Sequence, residues 1–135
     1  MKSIKSAKYY IPTYYIKNFL ISSIAIGCTT TFALFILEHS NTTYQYTGIA
    51  VAIFILIFGS ISIGYYNKFS ASQHKVQHCL YLHIFIVMLY ILFDLIFSES
   101  SLFIIILRNF CYFLCLELGA YSYSHRLFKK SPKCI

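Results

Sequence analysis

The sequence is poor in charge. Four acids and eleven bases make up 11% of its 135 residues, against 59% that are hydrophobic. A soluble domain usually carries about 25% charge, so these side chains cannot clothe a water-facing surface. Polar sequence between the hydrophobic stretches is also scarce. The loops fall at residues 38–46, 67–78 and 98–100, which leaves no room for a soluble domain. Two of these loops hold no Lys or Arg, only Glu38 and Glu99. Tryptophan is absent, so aromatic anchoring at a membrane surface falls to tyrosine.

What remains is four long apolar runs. Residues 19–37 and 47–66 contain no charged side chain. Residues 79–97 contain only His83 and Asp94, and residues 101–123 only Arg108 and Glu117. Each run approaches the roughly 20 residues that a helix needs to cross about 30 Å of hydrocarbon. Lipid offers the backbone no hydrogen-bond partner, so a span must be a helix or part of a closed barrel. Barrel strands alternate apolar and polar residues, and these runs do not. The reading is an all-α integral membrane four-helix bundle made of two antiparallel transmembrane hairpins. It is a single membrane domain over 1–135, with a basic N-terminal arm at 1–18 and a basic C-terminal tail at 124–135.

The bases set the orientation. Lys2, Lys5, Lys8 and Lys17 precede the first span, Lys68 and Lys75 sit in the middle loop, and Arg126, Lys129, Lys130 and Lys133 follow the last. Ten of the eleven therefore fall on one side, and the positive-inside rule places both termini in the cytoplasm. Tyr14, Tyr15, Tyr65, Tyr66, Tyr121 and Tyr123 would mark the inner interface, and Tyr44 and Tyr46 the outer. The bases are scattered among membrane flanks, which argues against a nucleic-acid partner.

A lysine-rich start before an apolar run could suggest a signal peptide. This run is span-length, so the first helix is expected to stay. Cys28, Cys79, Cys111, Cys115 and Cys134 lie in spans or on the cytoplasmic side, which predicts no structural disulfide. Asn41-Thr42-Thr43 fits a glycosylation sequon, but the loop is short and hard against the membrane.

His83, Tyr90 and Asp94 share one face of the third span, which has no Gly, Ala, Ser or Thr after Leu80. The other spans carry small-residue stripes that allow close approach. These are Ser23, Gly27 and Thr31; Gly48, Ala52, Ser60 and Gly64; and Cys111, Cys115, Gly119 and Ser122. They predict a tight bundle and, beyond it, a dimer or a docked membrane partner.

The short turn at 98–100 places Asp94 at the depth of Arg108, and His83 near the depth of Glu117. Buried charges seek partners, so Asp94–Arg108 and His83–Glu117 are the expected pairs. Arg108 and Glu117 are nine residues apart, on opposite faces of one helix, so the two pairs compete for the same neighbour. Arg108 snorkelling outward is the simpler alternative.

His74, His78 and Cys79 have a spacing that suits metal ligands. No second ligand pair supports a metal, and histidines at an anionic lipid surface are the preferred reading. Nothing resembles a nucleophile with its base, a phosphate loop or a dinucleotide fingerprint. Neither enzymatic activity nor a cofactor is expected.

The second span of each hairpin ends alike. Gly64-Tyr65-Tyr66-Asn67-Lys68-Phe69 parallels Tyr121-Ser122-Tyr123-Ser124-His125-Arg126-Leu127-Phe128. With Lys17-Asn18-Phe19 and Gly27 at the first span, this pattern resembles the GtrA-like family of small four-span proteins. The match departs from that signature where no aromatic separates Asn67 from Phe69 and where His125 replaces an Asn. The resemblance implies a bacterial inner-membrane protein that moves a polyprenyl-linked sugar. On that reading Lys68, Lys75, Arg126 and Lys129 attract the phosphate head group, while Asp94, Arg108, Glu117, His83 and Tyr90 form a polar path. The rival expectation is an accessory or assembly subunit of a larger membrane complex, which Gly119→Leu should release.

Overall fold

The computed structural model describes residues 3–40, 44–71 and 76–130. The architecture is all-helical: α1 (Ser3–His39), α2 (Gln45–Ser70), α3 (Val76–Phe97) and α4 (Leu102–Lys130). All four helices are long and apolar enough to cross a membrane. The described parts of the basic segments at both ends are helical. The helix of α1 begins at Ser3, well ahead of its apolar span, and α4 runs on to Lys130. Pro12 lies inside α1 and cannot donate a backbone hydrogen bond, so it divides the basic first turns from the span.

Several serine and threonine hydroxyls of the spans are satisfied within their own helices. Thr29 donates to the carbonyls of Ala25 and Ile26, Thr31 to Gly27, Ser60 to Leu56, Ser62 to Phe58 and Ser122 to Leu118. A hydroxyl bonded back to the preceding turn presents little unsatisfied polarity to hydrocarbon. The outward surface carries many large apolar side chains: Phe54, Phe58, Ile96 and Phe103 are all exposed. On a membrane helix such side chains face lipid.

In the bundle α2 packs most extensively on α4. Helix α1 flanks α2, α3 flanks α4, and α3 also touches α1 and α2. The α2–α4 crossing is made by two glycines. A Cβ on Gly64 would run into the backbone carbonyl of Leu116, and a Cβ on Gly119 into that of Ile61. The geometry is reciprocal, because each glycine meets the residue three positions before the other. Ala52, Ser60 and Ile63 of α2 are buried as well.

The other small-residue stripes differ. Gly27 has open space where a Cβ would point, and Thr31, Cys28, Cys111 and Ser122 are exposed. Instead, Gly48 closes on Ser40, and Gly59 on Thr29, to bring α1 and α2 together. The apolar core draws on all four helices. Tyr14, Ala71, Cys79, Leu82, Leu116 and Ala120 are among its buried members.

Candidate functional site

Both predicted pairs form together. The Arg108 guanidinium meets Oδ2 of Asp94, and His83 Nδ1 lies 2.7 Å from Oε1 of Glu117. The conflict between them dissolves in the geometry of α4. Ile105, Asn109, Leu116 and Ala120 form its buried stripe. At about 100° per residue, Arg108 stands on one flank of that stripe and Glu117 on the other. Neither points straight at α3. Each reaches around a flank, so the side chains of Arg108 and Glu117 remain 55% and 34% exposed.

The position that does face α3 is Asn109, which the sequence analysis passed over. It is buried, and its Nδ2 donates to Asp94 Oδ2 at 2.8 Å and to the Ile105 carbonyl at 2.9 Å. Asp94 is therefore held from two sides, by a guanidinium and by an amide. A carboxylate in low dielectric needs such partners, since leaving it bare costs several kcal/mol.

Between the two pairs, Tyr90 and Tyr112 lie ring against ring, with centroids 6.0 Å apart. The Tyr112 hydroxyl is buried without a hydrogen-bond partner. Together His83–Glu117, Tyr90–Tyr112 and Asp94–Arg108–Asn109 make a polar seam between α3 and α4. His83 and Asp94 are eleven residues apart, which is about 16 Å of helix rise and so half of a hydrocarbon layer.

A second polar cluster joins α1 to α2. Asn18, Ser22 and Asn67 are fully buried. Ser22 donates to Asn67 Oδ1 at 3.1 Å, the Tyr14 hydroxyl donates to the Asn67 carbonyl at 3.0 Å, and Asn18 Nδ2 donates to the Tyr14 carbonyl at 2.9 Å. Asn18 Oδ1 and Asn67 Nδ2 have no partner. Asn18 and Asn67 stand at the margins of the apolar runs, where the sequence reads as flank. Amides carry no charge, so runs defined by charge alone did not register them. Asn18 and Asn67 entered the sequence analysis only through the GtrA-like pattern, and a search for any amide within a span would have added Asn109.

His83 connects these two regions. It is fully buried, and its second nitrogen, Nε2, lies 3.6 Å from Cys79 Sγ. Cys79 and Tyr14 both belong to the buried core. Beside them, His78 Nδ1 is 2.9 Å from the Tyr15 hydroxyl. Among the described residues no group of His, Cys, Asp and Glu could hold a metal ion.

Of the proposed head-group residues, Lys68 is half-buried on the last turn of α2, and Arg126 and Lys129 belong to the last turns of α4. Lys75, His74 and the Asn41-Thr42-Thr43 sequon lie outside the described residues. Comparison with protein-family models, with curated proteins and with solved structures finds no match for this chain.

Proposed function

We propose that this chain is a multi-pass translocation component that moves the polar head of an amphipathic, lipid-linked substrate along the α3–α4 seam. The GtrA-like resemblance makes a polyprenyl-linked sugar the preferred cargo and the bacterial inner membrane the preferred site. In this reading the helices form two antiparallel hairpins with both termini in the cytoplasm. The observation that carries it is the seam itself. Polar side chains recur along α3 and α4 where lipid would otherwise demand apolar ones. Two of them, Arg108 and Glu117, are open on the flanks, where a head group could reach them while its tails stay in lipid. The buried, unpartnered Tyr112 hydroxyl adds a donor midway. The basic rim of Lys68, Lys75, Arg126 and Lys129 would gather a phosphate at the cytoplasmic surface. Four helices enclose little volume, so a homo-oligomer or a partner subunit is part of the proposal.

The test is movement of a fluorescent polyprenyl-phosphate sugar between the leaflets of vesicles containing the purified protein. Glu117→Gln and Asp94→Asn, both inserted normally, are expected to lose at least nine-tenths of the rate. Full rates in both variants would remove the seam from the mechanism.

One observation favours the rival reading of an accessory subunit. Arg108 is paired with Asp94 yet more than half exposed within a span, where a partner helix bearing a carboxylate would add a second contact. Arg108→Ala should then release that partner from a gently solubilised complex. Gly119→Leu cannot serve as this test, because Gly119 packs against the chain's own α2.

A further inference from the structure

We infer that Arg108 is a binding site for a lipid phosphate: its guanidinium, steadied by Asp94 and Asn109, holds the head group of a phospholipid in the leaflet beside residues 98–101. Such a lipid is a resident of the bundle, whether or not the seam carries a cargo. Depth is the first support. Residues 98–101 read Ser-Glu-Ser-Ser and form the polar turn between α3 and α4. Arg108 lies six residues after Leu102, the first residue of α4, which is about 9 Å of helix rise. Bilayer phosphates lie just beyond the hydrocarbon, and a long basic side chain near the end of a span extends to reach them. Direction is the second. Helical side chains lean toward the N-terminus of their helix, and α4 begins at that turn. Arg108 therefore leans toward the near surface. Exposure is the third. The Arg108 side chain is 55% exposed, and its neighbours Ile104 and Leu107 are exposed too, so this flank is open to lipid.

A guanidinium has more N–H donors than one carboxylate can accept, and among the described residues Asp94 is the only ion-pair partner of Arg108. Asp94 is not free to draw the guanidinium inward. Its Oδ2 also accepts from Asn109 Nδ2 at 2.8 Å, and Asn109 is buried and bonded to the Ile105 carbonyl at 2.9 Å. Asn109 is thus a positioning residue: it fixes Asp94, and Asp94 holds part of the guanidinium while the remaining donors serve the flank. A phosphate there adds charge-assisted bonds in the paired geometry that arginine and phosphate favour. Glu99 is exposed on the turn and repels an anion that approaches through water. That favours a phosphate anchored in lipid over a free ion.

The experiment is solid-state nuclear magnetic resonance of the full chain in nanodiscs, reading the dipolar coupling between labelled arginine Cζ and phosphorus. The sequence has two arginines, Arg108 and Arg126, so Arg126→Lys leaves Arg108 alone in the spectrum. Arg108 should couple to the phosphorus of phosphatidylglycerol. In discs of a phosphate-free galactolipid with inorganic phosphate in the buffer, the coupling should be at least tenfold weaker. Asn109→Leu should weaken the phosphatidylglycerol coupling at least twofold, because an unrestrained Asp94 then draws the guanidinium in. Asp94→Asn should keep or raise it, since a competing charge is gone. That variant also separates this site from translocation, which the same substitution should abolish. No coupling in phosphatidylglycerol would overturn the site and leave Arg108 to a partner's carboxylate. Equal coupling to inorganic phosphate would overturn a lipid as its ligand. An unchanged coupling in Asn109→Leu would overturn the positioning role.

Discussion

Helix α4 makes two seams, built on opposite principles. Toward α2 it offers Gly119, and the backbones touch with no side chain between them. Toward α3 it offers Asn109, Tyr112 and the flanking Arg108 and Glu117, and the contact runs through long polar side chains. The first seam has no slack, since even one methyl group would meet a carbonyl. The second is held by groups that can change partner, rotamer or protonation without moving a backbone. Close backbone approach gives a membrane bundle its rigidity, and polar side chains give it something to do. Here the two roles are divided between the faces of one helix.

The comparison breaks most sharply at the glycines. Gly64→Leu or Gly119→Leu should cost about 3 kcal/mol or more, because the added side chain must displace backbone. The readout is loss of a disulfide cross-link engineered between α2 and α4, together with a collapse of thermal stability in detergent. Next in size is the His83–Glu117 pair. Glu117→Leu leaves His83 Nδ1 without its acceptor and should destabilise by about 1–3 kcal/mol. Adding His83→Phe should return part of that loss, and a thermodynamic cycle of the single and double variants measures the difference. The coupling should be about 0.6 kcal/mol and stay below about 2. If it exceeded the glycine effect, the division of labour between the seams would be wrong.

Smaller effects sharpen the contrast. Asp94→Asn keeps an oxygen for Asn109 and loses only the guanidinium, so a cost of about 1 kcal/mol is expected by chemical or thermal unfolding. Ser22→Ala removes one hydrogen bond to Asn67 and should cost about 0.6 kcal/mol. At the bottom of the scale, Thr31→Ala should be neutral within about 0.5 kcal/mol. That hydroxyl is exposed and bonded only to its own helix.

The fold was legible because hydrocarbon asks a simple question of a sequence. Uninterrupted apolar runs of span length can answer it in one way, and the four helices follow. The pairs were legible too, because an arginine, a histidine and two acids in lipid have few places to go. What escaped was angular detail. Arg108 and Glu117 looked mutually exclusive when side chains were treated as pointing along radii. Long side chains reach sideways, and Asn109 occupies the direction that Arg108 had been assigned. The stripe of Ser23, Gly27 and Thr31 matched the spacing of a packing face yet Gly27 and Thr31 lie open, since spacing specifies a face and not what covers it. Gly59, outside every predicted stripe, makes one of the close contacts between α1 and α2.

The reciprocal glycine contact also bears on the order in which the chain is made. The ribosome delivers α2 long before α4, so until the last span enters the bilayer Gly64 has only lipid beside it. During that interval the first two helices must be held by Tyr14, Ser22 and Asn67 and by the close contacts at Gly48 and Gly59. When α4 arrives, a carbonyl can nest against each glycine at one depth and one rotation only. A helix that slipped by a single residue would present a Cβ instead. Two missing methyl groups, placed far apart in the sequence, thus act as the alignment key by which the late half of the protein recognises the early half.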